Sequence, residues 1–429
     1  MPEPLEFIEH QVITSEKYSN LAAFDDVEFI GPPQSRKDMP KYLGISRENG
    51  QLKASYYVGT TWIKENEVFA RVSPKIEGLN FGQMFSTALK ISSKGEADYF
   101  GNCYGISSDS SRIPAKNELA DDFLILIIYH YVYMLKKIVS NGLRHDYIDV
   151  EENLKSKIKG KILVPRNITE NNIRQRFDRT YCLYQIFTEN IPENRLLKKA
   201  LLMSERLASD IKSLSNDQDL RRDIQKLKNA FTLVSSDIDI CSVRQVKYSK
   251  IYRHYDNAIR TAKMILKQES FDTGNGCKLM PPFWIDMTGL FELYIYYLLT
   301  DAYGTYNIVF QAQGRHETRA DYVDVESGLI IDAKYKTWYS FSDNQKGNPI
   351  EDIRQLSGYA RDLKIIKQMN VSDPEKYIPP CIIIYPNSDG CENFQGKTLK
   401  ELSDKNSSNN PLSHFVNFYK VGVKLPTLK

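Results

Sequence analysis

Cysteine is scarce and unpaired in this chain of 429 residues. Cys103, Cys182, Cys241, Cys277, Cys381 and Cys391 are scattered, with no CxxC pair and no His/Cys ligand spacing. That pattern argues against a zinc module and a disulfide framework, and for a reducing compartment. No charge of one sign dominates either. With 57 Lys and Arg against 54 Asp and Glu, the net charge is +3, so no global basic field advertises nucleic acid. Any DNA contact must come from local patches. Long hydrophobic runs are missing as well. The greasiest stretch, Phe123 to Leu135, is about half a membrane span and is interrupted by His130, so it predicts a buried helix. The start, Met1-Pro2-Glu3-Pro4, is acidic and has no apolar signal core. The expected address is the cytoplasm, with no membrane contact. There is no internal repeat, and Ser403 to Asn410 is merely a polar loop.

What is present suffices for real cores: 41% hydrophobic residues, with 27 Tyr and 19 Phe. The length predicts two to three domains. The expected fold class is α+β and multidomain. Residues 1–115 read as a β-rich domain, with short alternating runs such as Ala54 to Gly59 and Val68 to Val72. A polar loop, Ile91 to Pro114, follows. Residues 116–270 read as mainly helical with a short β element. Helices are expected over Glu118–Val139, Glu193–Ser213, Asp217–Thr232 and Ser249–Gln268, and strands over Lys159–Arg166 and Thr180–Thr188. Gly274-Asn275-Gly276 marks a linker. Residues 271–429 read as a compact α/β domain. Its expected order is a helix (Trp284–Ala302), strands at Tyr306–Gln311, Thr318–Val325 and Leu329–Lys336, a helix (Ile350–Lys367) and a buried strand (Cys381–Tyr385).

The candidate chemistry lies in this last segment. Asp321 falls on an alternating strand, and Asp332 and Lys334 fall two apart on the next, so period two puts that pair on one face. Glu326-Ser327-Gly328 is a turn signal. A hairpin folding back about Glu326 and Ser327 sets Asp321 opposite Asp332, and paired residues share a face. Two carboxylates and an ammonium on one side of a sheet suit a hard divalent cation and a water. A solvated sheet face is the bland alternative. The apolar run Leu329-Ile330-Ile331 opposes it, because charges continuing a buried strand cost several kcal/mol unless paired or metal-bound. Asp324 faces the other way and is expected to be solvated; Glu326 also lies outside the set. Glu292 is a lone acid in the apolar helix segment Leu290–Leu299 and needs a partner. Gln355 follows on the helix after Lys334.

Glu292, Asp321, Asp332-x-Lys334 and Gln355, in the order helix, strand, strand, helix, resemble the PD-(D/E)XK nuclease superfamily. Ala320 stands where that family has a proline before the first Asp. Asp332-Ala333-Lys334-Tyr335-Lys336, Gln355-Leu356-Ser357-Gly358-Tyr359-Ala360 and Ile382-Ile383-Ile384-Tyr385-Pro386 resemble the McrC subunit of McrBC-type, 5-methylcytosine-directed restriction systems. Tyr57-Val58-Gly59, Val72-Ser73-Pro74-Lys75-Ile76, Ile158–Ile162 and Pro192–Lys198 fall in the same family's order. The resemblance implies a Mg²⁺-dependent DNA endonuclease acting on double-stranded DNA. Asp321, Asp332 and Glu292 become its metal ligands, Lys334 the residue at the attacking water or the phosphate, and Gln355 a support for Lys334. It also implies a McrB-like AAA+ GTPase partner that binds the GTP in place of this chain and engages residues 1–115.

Other candidates are weaker. Gly390 to Thr398 looks like a P-loop but has five residues between its glycines where the motif needs four. His316 is not required as a base by a metal route, and Arg319 is a candidate for a DNA phosphate. Lys155, Lys157, Lys159 and Lys161 alternate, so a strand there aligns them for phosphates or a partner, or against edge aggregation; Arg174, Arg176 and Arg179 follow. Two other readings of the whole stay open. One is a self-sufficient defence or repair nuclease, and the other a non-catalytic adaptor that stimulates a GTPase ring.

Overall fold

The computed structural model describes residues 3–13, 45–48, 51–92, 99–106, 111–243, 252–268, 278–340, 349–403 and 412–427, apart from isolated positions within them. Gly274-Asn275-Gly276 and most of Ser403 to Asn410 lie outside these residues. The chain forms two compact units that do not follow its order. One joins Met1–Phe123 to Cys277–Lys429, and the other is Leu124–Gly276. Residues 1–115 and 277–429, which the sequence assigns to separate domains, therefore lie in one unit.

Along the chain come β1 (Glu3–Ile8), β2 (Tyr57–Lys64), β3 (Val68–Ser73), α1 (Phe81–Ser92) and β4 (Tyr104–Ile106). Next are α2 (Asn117–Ser140), β5 (Asp146–Lys155), β6 (Lys161–Ile162), β7 (Arg179–Thr188), α3 (Pro192–Asp210), α4 (Gln218–Ala230) and α5 (Arg253–Gln268). The last stretch gives β8 (Phe283–Asp286), α6 (Met287–Tyr303), β9 (Ile308–Gln313), β10 (Arg319–Asp324), β11 (Leu329–Ala333), α7 (Ile350–Tyr359), β12 (Cys381–Cys391) and β13 (Phe418–Val423).

In the first unit, one five-stranded sheet runs β1-β3-β2-β8-β4. The sequence reading carried a helix through Trp284. Instead Phe283–Asp286 is a buried strand, antiparallel to both β2 and β4. Aromatic and β-branched residues favour the strand, and Asp286 stops it by capping α6, its Oδ1 accepting from Gly289 N–H at 2.9 Å. Gly59 in β2 is what lets β8 approach. A Cβ there, at φ +144°, would stand 2.2 Å from the Phe283 carbonyl oxygen. Helix α1 escaped the sequence reading, although Phe81, Met84, Phe85, Ala88 and Leu89 recur at helical spacing and are buried.

The second sheet of this unit runs β9-β10-β11-β12-β13: an antiparallel meander through β11, then two parallel strands. Val323, Ile330 and Ile383 pack with Ile353 and Leu356 of α7 in one core cluster. Opposite-facing Tyr322 stacks with Tyr296 of α6, whose ring also stacks on Phe310. The sheet is thus covered on both faces, as its continuous apolar strands demand. Two details differ from the sequence reading. The helix from Ile350 ends at Tyr359, and a short turn of helix, Leu363–Ile366, restarts after Asp362 caps Lys364 N–H. Strand β13 was not foreseen.

In the second unit, α2 supplies the buried centre. Phe123–Ser140 is apolar and long enough to cross a membrane by composition, yet 72% of that window is buried. Tyr131 donates to the Leu197 carbonyl at 2.6 Å, and burial pushes His130 down to about 4, so it is neutral. Strands β6-β7-β5 form a separate antiparallel sheet. The lysine run does not form one strand. Lys155 ends β5, Ser156 turns with φ +53°, and only Lys161 and Ile162 pair again, so the four lysines share no face.

Candidate active site

The β10–β11 hairpin pairs Tyr322 with Ile331 and Asp324 with Leu329, a register that continues to set Asp321 opposite Asp332. The Ala333 N–H donates to Asp321 Oδ2 at 2.9 Å, which locks the first carboxylate to the second strand. Asp332 is 1% exposed, and its Oδ1 has no partner among the described residues. Lys334 Nζ lies 2.8 Å from Asp332 Oδ2, within ion-pair distance. The ammonium also donates to Gln355 Oε1 at 3.0 Å, and Gln355 Nε2 donates to Tyr359 Oη at 2.8 Å. Helix α7 therefore reaches the strand through Gln355, one turn before Tyr359.

Glu292 projects from α6. Tyr99 Oη donates to its Oε2, and Gln311 Nε2 donates to the same atom at 3.2 Å. Tyr99 and Gln311 were not foreseen. Tyr99 lies 193 residues from its partner, and no local pattern marks it. Gln311 sits in a strand with φ +50°, a conformation that sequence announces only through Gly, Asn or Asp.

The electrostatics join the three acids. Burial, then the neighbouring carboxylates of Asp332 and Glu292, raises Asp321 well above the usual carboxylate range, against Lys334 and the Ala333 N–H. Burial lifts Glu292 to about 7; the Tyr99 hydrogen bond opposes this, and Asp286 and Asp332 add to it. Burial disfavours charge on Lys334, but Asp332 and Asp321 outweigh it and hold the ammonium above its ordinary value. A charge cluster of this sign is short of positive charge. Among the described residues, no three His, Cys, Asp or Glu side chains converge closely enough to enclose an ion by themselves. The donor chemistry nonetheless fits Mg²⁺, which takes one or two carboxylates and keeps waters for the rest of its shell. The buried Asp332 carboxylate, with Oδ1 unpartnered among the described residues and Oδ2 beside the Lys334 ammonium, is the observation that favours this fit.

These shifts carry a pH prediction. Glu292 titrates at 4.5 ordinarily and at about 7 in the fold, so the folded chain binds more protons across that interval. Its stabilising contribution is complete below about 4.5 and is lost as pH rises through about 7. Asp321 acts in the same direction. Without divalent cations, the melting temperature is expected to fall across this window, and Glu292→Gln to flatten the fall.

Asp324 corrects the sequence reading. It is 3% exposed rather than solvated, because its Oδ1 accepts from Ser327 N–H at 3.0 Å and so holds the turn that Gly328 closes at φ +65°. His316 and Arg319 are exposed at the β9–β10 turn. A second cluster adjoins the site. Lys75 Nζ donates to the Tyr335 carbonyl at 2.5 Å and lies 3.8 Å from its ring centroid, while Lys75 N–H donates to buried Glu9 Oε1 at 2.8 Å. Burial brings Lys75 down to about 8, with Glu9 opposing and Lys336 assisting. The loop after β3 is thereby tied to the residue next to Lys334.

No curated protein matches the chain. Two solved assemblies share a distant likeness. A chain from the refined half-complex of the tetradecameric Thermococcus gammatolerans assembly of McrB AAA+ hexamers with bound McrC is 16% identical, at TM-score 0.39, over 98% of this chain and 94% of that one. A chain from the cryo-EM structure of the Thermococcus gammatolerans McrBC complex is 15% identical, at TM-score 0.31, over 70% of this chain and 87% of that one. The family model for McrBC 5-methylcytosine restriction system components matches residues 52–371, a span that includes β2, the whole hairpin and α7. The chain belongs to the family of McrBC 5-methylcytosine restriction system components.

Proposed function

We propose that this chain is the McrC-type nuclease subunit of an McrBC restriction system. In this reading it is a Mg²⁺-dependent DNA endonuclease of the PD-(D/E)XK kind, built on the β9–β13 sheet with α6 and α7. One observation carries the proposal. A fully buried carboxylate, Asp332, has no partner on Oδ1 among the described residues and the Lys334 ammonium 2.8 Å from Oδ2, while Asp321 stands opposite. A chain has little reason to bury a bare acid oxygen unless another ligand completes it.

Asp321 and Asp332 would hold the cation, with Glu292 reaching its shell directly or through water. Bound Mg²⁺ supplies Lewis-acid polarisation of the scissile phosphate and a lowered pKa for water. Lys334, kept charged by the acids around it, orients the attacking water or balances charge developing on the phosphate. Gln355 holds Lys334 by accepting from its ammonium, and Tyr359 steadies Gln355 in turn. Arg319 is exposed and free to meet a DNA phosphate. Family membership supports a McrB-like AAA+ GTPase as the partner that binds GTP, and double-stranded DNA as the substrate, in the cytoplasm.

The test coexpresses the chain with an AAA+ GTPase and assays cleavage of methylated and plain duplex DNA with Mg²⁺ and GTP. Cleavage that needs partner, GTP and Mg²⁺ together is the expected result. Cleavage by the chain alone points to a self-sufficient nuclease. Stimulated GTP hydrolysis with no cleavage points to an adaptor.

A further inference from the structure

Glu292 is held in an unusual way for an acid on an apolar helix. Among the described residues, both of its hydrogen-bond donors, Tyr99 Oη and Gln311 Nε2, land on Oε2, which leaves Oε1 outside the clamp. Each donor is itself fixed. The Tyr99 ring packs edge-on to Phe310, at 5.0 Å between centroids and 88° between planes. Phe310 in turn stacks on Tyr296, one turn along α6 from Glu292.

Gln311 is fixed by its backbone. Phe310 pairs with Tyr322 and Ala312 with Ala320, so Gln311 lies across from Asp321. It adopts φ +50° there, which a glutamine does at a cost. Its side chain meets the acid of a neighbouring helix from a position facing the first carboxylate of the hairpin.

We infer that Tyr99 and Gln311 are positioning residues, which clamp one oxygen of Glu292 and thereby set divalent-cation affinity at the Asp321–Asp332 pair; the inference rests on the metal-dependent nuclease reading. The physical reason is that a carboxylate with one oxygen doubly engaged loses its freedom to rotate. Groups that orient a ligand from behind commonly change metal affinity by about 10–100-fold when removed. Tyr99 comes from a segment remote in sequence, so the site is completed by two stretches of chain 193 residues apart.

The experiment titrates Mn²⁺ alone, without DNA, into the full-length chain and follows binding by calorimetry, with melting recorded in chelator. Tyr99→Phe keeps the ring against Phe310 and removes only the donor. Gln311→Asn keeps an amide, suits the left-handed backbone better, and is one methylene too short to reach Glu292. Each is expected to weaken Mn²⁺ binding about 10-fold. Gln311→Asn is expected to melt no lower than the parent chain, which separates positioning from a merely structural role. If Tyr99→Phe melts low, Gln311→Asn alone decides. Parental affinity in Gln311→Asn, with binding weakened in Glu292→Gln and Asp332→Asn, overturns the inference and leaves the nuclease reading standing. Parental affinity in Asp332→Asn overturns both.

Discussion

Asp332→Asn is expected to end DNA cleavage, by on the order of 10³-fold or more, while the chain melts no lower than before. The two halves of this result have one cause. Asp332 is 1% exposed, its Oδ1 has no partner among the described residues, and its Oδ2 faces the Lys334 ammonium. Burial first raises neighbouring Asp321 and Glu292, and the charge of Asp332 adds to that. A neutral amide of the same shape relieves that repulsion. Lys334 does not become stranded, because it keeps its hydrogen bond to Gln355 and its attraction to Asp321. Natural active sites commonly trade stability for such unmet charge. Cleavage on plasmid DNA and thermal melting in chelator are the two measurements. A large loss of stability with retained cleavage would falsify the assignment of Asp332 as a metal ligand.

Lys334→Met is expected to lose both activity and stability, and the asymmetry with the first variant is the informative part. Removing the ammonium strips Asp332 of the one cation within ion-pair distance among the described residues, 2.8 Å away, and takes compensating charge from three acids. Breaking a buried pair from one side typically costs about 3–5 kcal/mol. Since Lys334 retains 17% side-chain exposure, the lower end of that range applies. The double variant Asp332→Asn with Lys334→Met should recover most of the lost stability and none of the cleavage. Denaturant midpoints for the four proteins close the cycle and isolate the pair.

The hairpin was legible because its signals are local. Glu326-Ser327-Gly328 fixed where the chain turns, and period two then fixed which residues share a face; the observed pairing of Tyr322 with Ile331 follows from that turn. Gln355 was placed on the correct helix by the same means. What escaped was non-local or backbone-borne. Tyr99 meets Glu292 across a long separation, and Gln311 adopts its left-handed turn without a glycine to announce it. Asp324 was misjudged because facing away from one side of a sheet does not mean facing water, when a helix covers the other side. Trp284 reads as helical from sequence because an apolar run of Phe, Trp and Ile looks alike in either state, and it is Asp286 that caps the helix. The lysine run failed for a related reason. Alternation predicts a shared face only if the backbone stays extended, and Ser156 breaks it.

Strand β8 closes the first sheet between β2 and β4, yet it is made only after the whole of Leu124–Gly276 has been synthesised. At about 5–20 residues per second, a ribosome takes roughly ten to thirty-five seconds to travel from the end of β4 to β8. During that interval the edges of β2 and β4 that will flank β8 stand unpaired. A nascent chain with open strand edges is a client for holding chaperones, and a fragment cut at the linker would strand β8 apart from its neighbours. The first sheet is thereby left incomplete until the last third of the polypeptide has emerged.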